Sequence, residues 1–175
     1  MAHRSRFMRW NSTKAFRLAP RLFAFPVLML VAMGVTLGSR ASASGLSEDK
    51  PFAEAFIILQ VSDAASVHHD AALDIANNLM KHYGGQDKVD IQVIAFGAGV
   101  KLLTKSSDAA DIARAERISS LAAHGVRFYA CGNTLDTIER KTGKRPQTLN
   151  NVDVVQTGVA FMVEEIKRGY TLVHP

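Results

Sequence analysis

"EAFIILQV", Glu54 to Val61, is a nearly continuous apolar run of strand length. A strand that is buried on one face alternates apolar and polar residues. One that is buried on both faces does not, so this run reads as an inner strand of a parallel sheet. The chain beyond it then switches repeatedly between two periods. "HHDAALDIANNLMKHY", His68 to Tyr83, sets Ala72, Ile75/Ala76, Leu79 and Tyr83 at helical spacing, with Ser66 as N-cap and Gly84-Gly85 as the stop. "VDIQVIAF", Val89 to Phe96, is a second strand, closed by a tight "GAG" turn. The next helix carries Ala115, Ile118 and Ala122 on one stripe and stops at Gly125. "VRFYA" is a third strand running up to Cys131, and "TLDTIERKTG" a short third helix. "VDVV", Val152 to Val155, is a fourth strand. "GVAFMVEEIKRG" is a helix with Val159, Met162/Val163 and Ile166 facing the core, and "YTLVH" is a last strand.

Strand followed by helix, repeated to the C-terminus, is a series of βαβ crossovers. The expected fold is α/β, a three-layer sandwich in which a mostly parallel five-stranded sheet carries helices on both faces, with flavodoxin-like alternation. It fills residues 52–175 as one domain, long enough to bury a core without disulfides. In such sheets chemistry sits outside the C-terminal ends of the strands. That places "GAGVK" and "CGNT" on one edge.

The first 43 residues have a different character. Arg4, Arg6, Arg9, Lys14, Arg17 and Arg21 precede an uncharged run from Leu22 to Gly38, and Ala41-Ser42-Ala43 follows it. Basic, apolar and small-residue regions in that order are the signature of a secretory signal peptide, cleaved after Ala43. The expected location is periplasmic. The alternative is a membrane anchor made by residues 22–38. Residues 44–51 read as a polar leader. Seven of the 21 Lys and Arg residues and none of the 16 acids lie in residues 1–43, so the charge of +5 becomes −2 once that segment is set aside. A net acidic domain removes the main support for a nucleic-acid partner.

Cys131 is the single cysteine of the chain. Exported proteins usually carry cysteines in disulfide pairs, and this one has no intramolecular partner. It ends a buried strand just before a helix, where unpaired backbone N–H groups favour a thiolate. Asn133 or Thr134 can cap that helix, and Gly132 leaves room for an approaching thiol. Gly97 and Gly99 line the same edge.

Other motifs carry less. Gly97 to Gly99 lacks the third glycine of a dinucleotide loop and the Gly-Lys-Ser/Thr of a phosphate loop. His68-His69-Asp70 reads as a solvated helix start, because adjacent helical residues point about 100° apart and rarely share an ion. Asn77-Asn78 is unfavourable inside a helix by propensity, so one of the pair is expected to be buried and bonded to a loop, and Asn78 joins the candidate pocket. No nucleophile elbow or paired carboxylates support hydrolysis, and no metal or cofactor is called for.

With these residues in hand, the mature region resembles the DsrE/DsrF-like family. "NNLMKHYG", "IQVIAFGAGVKLL", "GVRFYACGNTL" and "VDVVQTGVAFMVEEIKRGYTLVHP" carry the likeness, with "ACGNTL" and "GYTLVHP" the most specific parts. The resemblance implies a small α/β sandwich that assembles into trimers or hexamers. It also implies sulfur carried as a cysteine persulfide, a role that maps onto Cys131. The best-characterised carriers are cytoplasmic, whereas this chain reads as exported, which argues against transfer-RNA modification.

Two functional classes follow. One is a sulfurtransferase-like carrier with a persulfide at Cys131, served by donor and acceptor proteins. The other is an oligomeric binding or assembly module whose thiol is inert. A small-anion or nucleotide pocket at the same strand edge is a weaker third.

Overall fold

A computed structural model describes residues 50–175. The expected signal segment, its expected cleavage point and the expected leader up to residue 49 lie outside the described residues. In chain order the elements are β1 (Ala55–Val61), α1 (Ser66–Tyr83), β2 (Val89–Ala95), a 3-10 helix (Gly97–Leu103), α2 (Ala109–Ala123), β3 (Arg127–Cys131), α3 (Gly132–Thr142), β4 (Val152–Val155), α4 (Gly158–Lys167) and β5 (Thr171–Val173). The expected "GAG" turn is therefore the start of a helix.

The five strands form one sheet in the order β4-β3-β2-β1-β5, and every pairing is parallel. This order dictates the layers. The steps from β1 to β2, β3 and β4 all run the same way, so right-handed crossovers put α1, α2 and α3 on one face. The last connection runs back across the sheet to the far edge beside β1, which puts α4 on the other face.

Each face has its own core. Leu59, Ile91, Val93 and Phe128 pack with Ala72, Ala76, Ile118, Leu121 and Leu135 under the three helices. Ile58 and Ile94 pack with Met162 and Tyr170 under α4, bordered by Phe56, Tyr129 and Phe161. Both faces of β1 and β2 are thus covered, as the continuous apolar runs predict.

Several details differ from the sequence expectation. Of the stripe expected to face inward on α4, only Met162 does. Val159, Val163 and Ile166 are 45 %, 42 % and 39 % exposed, while Glu165 is buried. The burial is paired: Gln92 Nε2 donates to Glu165 Oε2 at 2.7 Å and Arg168 donates to Glu165 Oε1 at 2.6 Å. A second polar group sits at the start of β2 and β3. Arg127 and the Tyr170 hydroxyl both donate to Asp90 Oδ2, at 2.5 and 2.6 Å. Lys50, expected in the free leader, donates to the Val89 and Gly125 carbonyls at 3.1 and 2.9 Å and so closes the domain's lower edge. Ala65 rather than Ser66 takes the N-cap position of α1, and Gly84 ends that helix in the left-handed region as expected.

Candidate functional site

The site begins with a strand that stops early. Cys131 is both the last residue of β3 and the N-cap residue of α3. Neither Asn133 nor Thr134 caps α3, because the helix starts at Gly132, and no side chain supplies a cap bond. Asn133 and Thr134 instead occupy the first turn, so their N–H groups lack intrahelical partners. The Asn133 N–H donates to the Gln156 carbonyl at 2.9 Å.

The β4–α4 loop closes over the thiol from the other side. The Gly158 N–H, in the first turn of α4, donates to Cys131 Sγ at 3.3 Å. As a neutral thiol, Cys131 can donate to the Gln156 carbonyl at 3.9 Å. The N-termini of α3 and α4 therefore converge on one sulfur. Burial opposes its ionisation and is the largest single influence. The Thr134 hydroxyl and the amides of Gly158, Thr134 and Asn133 together outweigh it, and the thiol's pKa lies below its ordinary value.

Thr134 connects this centre to the loop after β2. Its Oγ1 accepts from the Gly97 N–H at 3.1 Å, and Gly97 adopts φ +56°, a conformation that suits glycine. A rim of side-chain amides and hydroxyls surrounds the thiol. Asn133 Nδ2 donates to Thr157 Oγ1 at 3.0 Å, and Gln156 Nε2 donates to Asn133 Oδ1 at 2.6 Å. Cys131 itself is only 6 % exposed, so this rim stands between the sulfur and solvent.

The structure brings together Cys131, Gly132, Asn133, Thr134 and Gly97 of the expected site. Gly132 is not an open approach, however. A Cβ there would lie 3.4 Å from Gln156 Cα, the Val155 carbonyl and Val154, so the β4–α4 loop already covers it. Gly99 has a packing role, since a Cβ there would lie 2.2 Å from the Val61 carbonyl oxygen. Asn78 is exposed and sits in the C-terminal half of α1. An antiparallel crossover helix delivers that half to the opposite sheet edge, so Asn78 does not belong to the site. His69, expected to be solvated, is buried, with Nε2 2.9 Å from the Asp63 carbonyl oxygen.

Gln156, Thr157 and Gly158 are the residues sequence reasoning missed. "QTG" directly follows a strand and opens a helix on the same edge, which is the signal that would have included them. Among the described residues no group of three or more His, Cys, Asp or Glu side chains could hold a metal ion. No helix among them is long and apolar enough to cross a membrane.

The comparisons agree with this architecture. The model of the DsrE/DsrF-like family matches residues 53–175. Among solved structures, the chain is similar to MTH1491 of Methanobacterium thermoautotrophicum, a protein of unknown function. The two are 26 % identical with a TM-score of 0.59, over 70 % of this chain and 100 % of that one. It shares its fold with the YchN protein of E. coli at 13 % identity and a TM-score of 0.51, over 69 % of this chain and 99 % of that one. No curated protein matches the chain.

Proposed function

Because the chain belongs to the DsrE/DsrF-like family, which is linked to sulfur relay in general, we propose that it is an exported single-cysteine sulfur carrier. The observation that carries this is the convergence of two helix N-termini on Cys131 Sγ. Amide and hydroxyl donors favour the nucleophilic thiolate form of the sulfur and would equally favour the anion of a persulfide. In the loading step the Cys131 thiolate attacks a sulfane sulfur of a polysulfide. One S–S bond forms at Sγ, the donor's S–S bond breaks, and the departing sulfur keeps the electron pair. In delivery, an acceptor thiolate attacks the outer sulfur and Cys131 leaves as thiolate. The pair of steps needs no external oxidant and no metal.

Export places this carrier outside the cytoplasm, in the periplasm after cleavage following Ala43, or held at the membrane by residues 22–38 if that segment stays. The test is the intact mass of the protein, purified without reductant and exposed to inorganic polysulfide, with Cys131→Ser beside it. A gain of one or more sulfur atoms, reversed by reductant and absent from the variant, is expected. An unchanged mass in a folded protein overturns the proposal.

The burial of Cys131 favours a second reading, a binding or assembly module whose thiol is inert. Native labelling by a thiol reagent separates the two. An inert thiol reacts only after denaturation, whereas a carrier thiol reacts in the folded state.

A further inference from the structure

Cys131 is covered, so a partner's thiol reaches the sulfur only when the amide rim above it opens. One bond of that rim leads away from the sulfur. The Gln156 side-chain amide donates to Asn133 Oδ1 at 2.6 Å and has a second, longer contact to Asp136 Oδ2 at 3.4 Å. Asp136 in turn accepts from Arg145, which also lies 3.5 Å from Glu139. A chain of polar side chains thus runs from the rim over the thiol to the Arg145 guanidinium.

Arg145 lines an open groove of about 600 Å³, whose walls include Lys105, Leu135, Pro146 and Val154. The Lys105 ammonium is exposed and has no acidic partner among the described residues. Residues 132–148, which run from α3 into the groove, hold four cations, Arg140, Lys141, Lys144 and Arg145, against two acids. This is a basic patch on a domain that is net acidic. Leu135, Pro146 and Val154 give the groove apolar surface beside its cations. Val154 is 48 % exposed and belongs to β4, the edge strand of the sheet. The outer side of an edge strand offers main-chain donors and acceptors to an extended chain.

We propose that this groove receives an extended acidic segment of a partner protein, and that the segment, by taking Arg145 from Asp136, opens the rim over Cys131. Charge selects an acidic occupant. The apolar surface and the edge strand select a polypeptide over a nucleic acid, whose phosphates need a broader basic surface. The exchange costs little, because Arg145 and Asp136 keep 40 % and 35 % of their side chains in solvent. Once released, Asp136 is the stronger acceptor for the Gln156 amide, since a bond to a free carboxylate outweighs one to the neutral Asn133 carbonyl. Gln156 then swings from Asn133 to Asp136, and a bond spanning α3 and the β4–α4 loop is lost. Cys131 stays covered until a partner is seated. This rests on Cys131 being the working thiol of the proposed carrier, and adds the kind of partner that reaches it.

The test uses the purified protein and a fluorescent all-glutamate peptide, with anisotropy reading binding and iodoacetamide alkylation reading access to Cys131. Saturable binding is expected, with alkylation faster by about three-fold or more, the scale that one neutral hydrogen bond sets on an opening equilibrium. The charge of the peptide works the other way, since nearby anions disfavour a thiolate and slow its alkylation. Lys105→Gln is expected to weaken binding, whereas Lys81→Gln, in the last turn of α1, should bind and respond like the parent. Asp136→Ala decides the mechanism. It leaves Arg145 to the peptide and removes the acceptor that draws Gln156 away, so it should bind without faster alkylation. If it does not fold, Gln156→Ala must alkylate at the faster rate with or without peptide. No saturable binding, or binding that leaves the parent's alkylation rate unchanged, overturns the proposal. An equal response to single-stranded DNA overturns the choice of partner. A protein that gains sulfur from polysulfide but does not bind the peptide sinks only this inference. Faster alkylation with peptide but no gain of sulfur sinks only the carrier reading.

Discussion

The Gly158 amide and the Cys131 sulfur, 27 residues apart in sequence, are 3.3 Å apart at the top of the sheet. The contact exists because residue 158 lacks a side chain. A Cβ there would lie 3.0 Å from Cys131 Cβ and 3.6 Å from Sγ. Gly158→Ala is therefore expected to push the N-terminus of α4 away from the sulfur, at an overpacking cost of about 1–3 kcal/mol. Alkylation rates measured across pH should show the thiol titrating at higher pH than in the parent. An unchanged profile would mean that the amide is a neighbour of the sulfur and does not support its charge.

Thr134 provides a second, separable handle. Its hydroxyl accepts from the Gly97 amide while supporting the thiolate. Thr134→Val keeps the shape and removes both bonds. The expected loss of stability is about 1–2 kcal/mol for the unmatched amide, together with a rise in the thiol's titration point. Thr134→Ser should restore the titration point. A merely structural threonine would give the stability loss without the shift.

The lowered pKa also fixes a sign in the pH dependence of stability. A depressed folded-state value means that the folded protein releases the thiol proton before the unfolded chain does. Stability from Cys131 is then fully present above the ordinary thiol value, about 8.5, and is lost as pH falls through the lowered folded value. Urea unfolding of the parent and Cys131→Ser should diverge as pH rises through that window and run parallel above it. A difference that is constant with pH would show that the thiol is not ionised in the fold.

Much of this architecture was legible because β1 and β2 are buried on both faces, and continuous apolar runs state that directly. The strand-end rule then placed Gly97, Cys131 and Thr134 on one edge, and the Gly97 amide does meet the Thr134 hydroxyl. The orientation of α4 was not legible. Periodicity turns the most aliphatic stripe inward, yet what turns Glu165 inward is a hydrogen bond from Gln92, 73 residues away. No local pattern encodes such a partner. Asn78 failed for a related reason: low helix propensity says that a residue is out of favour in a helix, and nothing about where its side chain goes.

The Asp90–Arg127–Tyr170 group is the other feature that no periodicity announces. The Asp90 side chain is fully buried, while Arg127 keeps 32 % of its side chain in solvent. Asp90→Asn would leave Arg127 without its counter-charge at the base of β3. Breaking a buried pair costs about 3–5 kcal/mol, and the partial exposure of Arg127 puts the expected value near the lower end. Urea titration at fixed pH should show the midpoint fall with little change in slope. Cys131 alkylation in the still-folded protein should be unchanged, because this group lies at the opposite ends of the strands. A change in alkylation would connect the two ends through the sheet.

Gly99 tests whether the turn after β2 is built for close approach. Its amide donates to the Phe96 carbonyl at 3.0 Å, and a Cβ would lie 2.2 Å from the Val61 carbonyl oxygen and 2.9 Å from the Ser62 nitrogen. Both obstacles are backbone, so no rotamer change relieves them. Relief requires the end of β1 to separate from the 3-10 helix, which would also strain the Phe96 amide's bond to the Val61 carbonyl. Gly99→Ala is therefore expected to cost more than the ~1–3 kcal/mol typical of an overpacked core, read as a large drop in thermal midpoint or loss of soluble protein. Gly143→Ala serves as the reference. Gly143, unlike Gly99, has a positive φ, +74°, and no atom lies within 4 Å of the added carbon. It should show only the smaller cost of conformational strain, about 1–2 kcal/mol. Equal losses in the two variants would mean that the close approach of β1 costs position 99 no more than left-handed strain costs position 143.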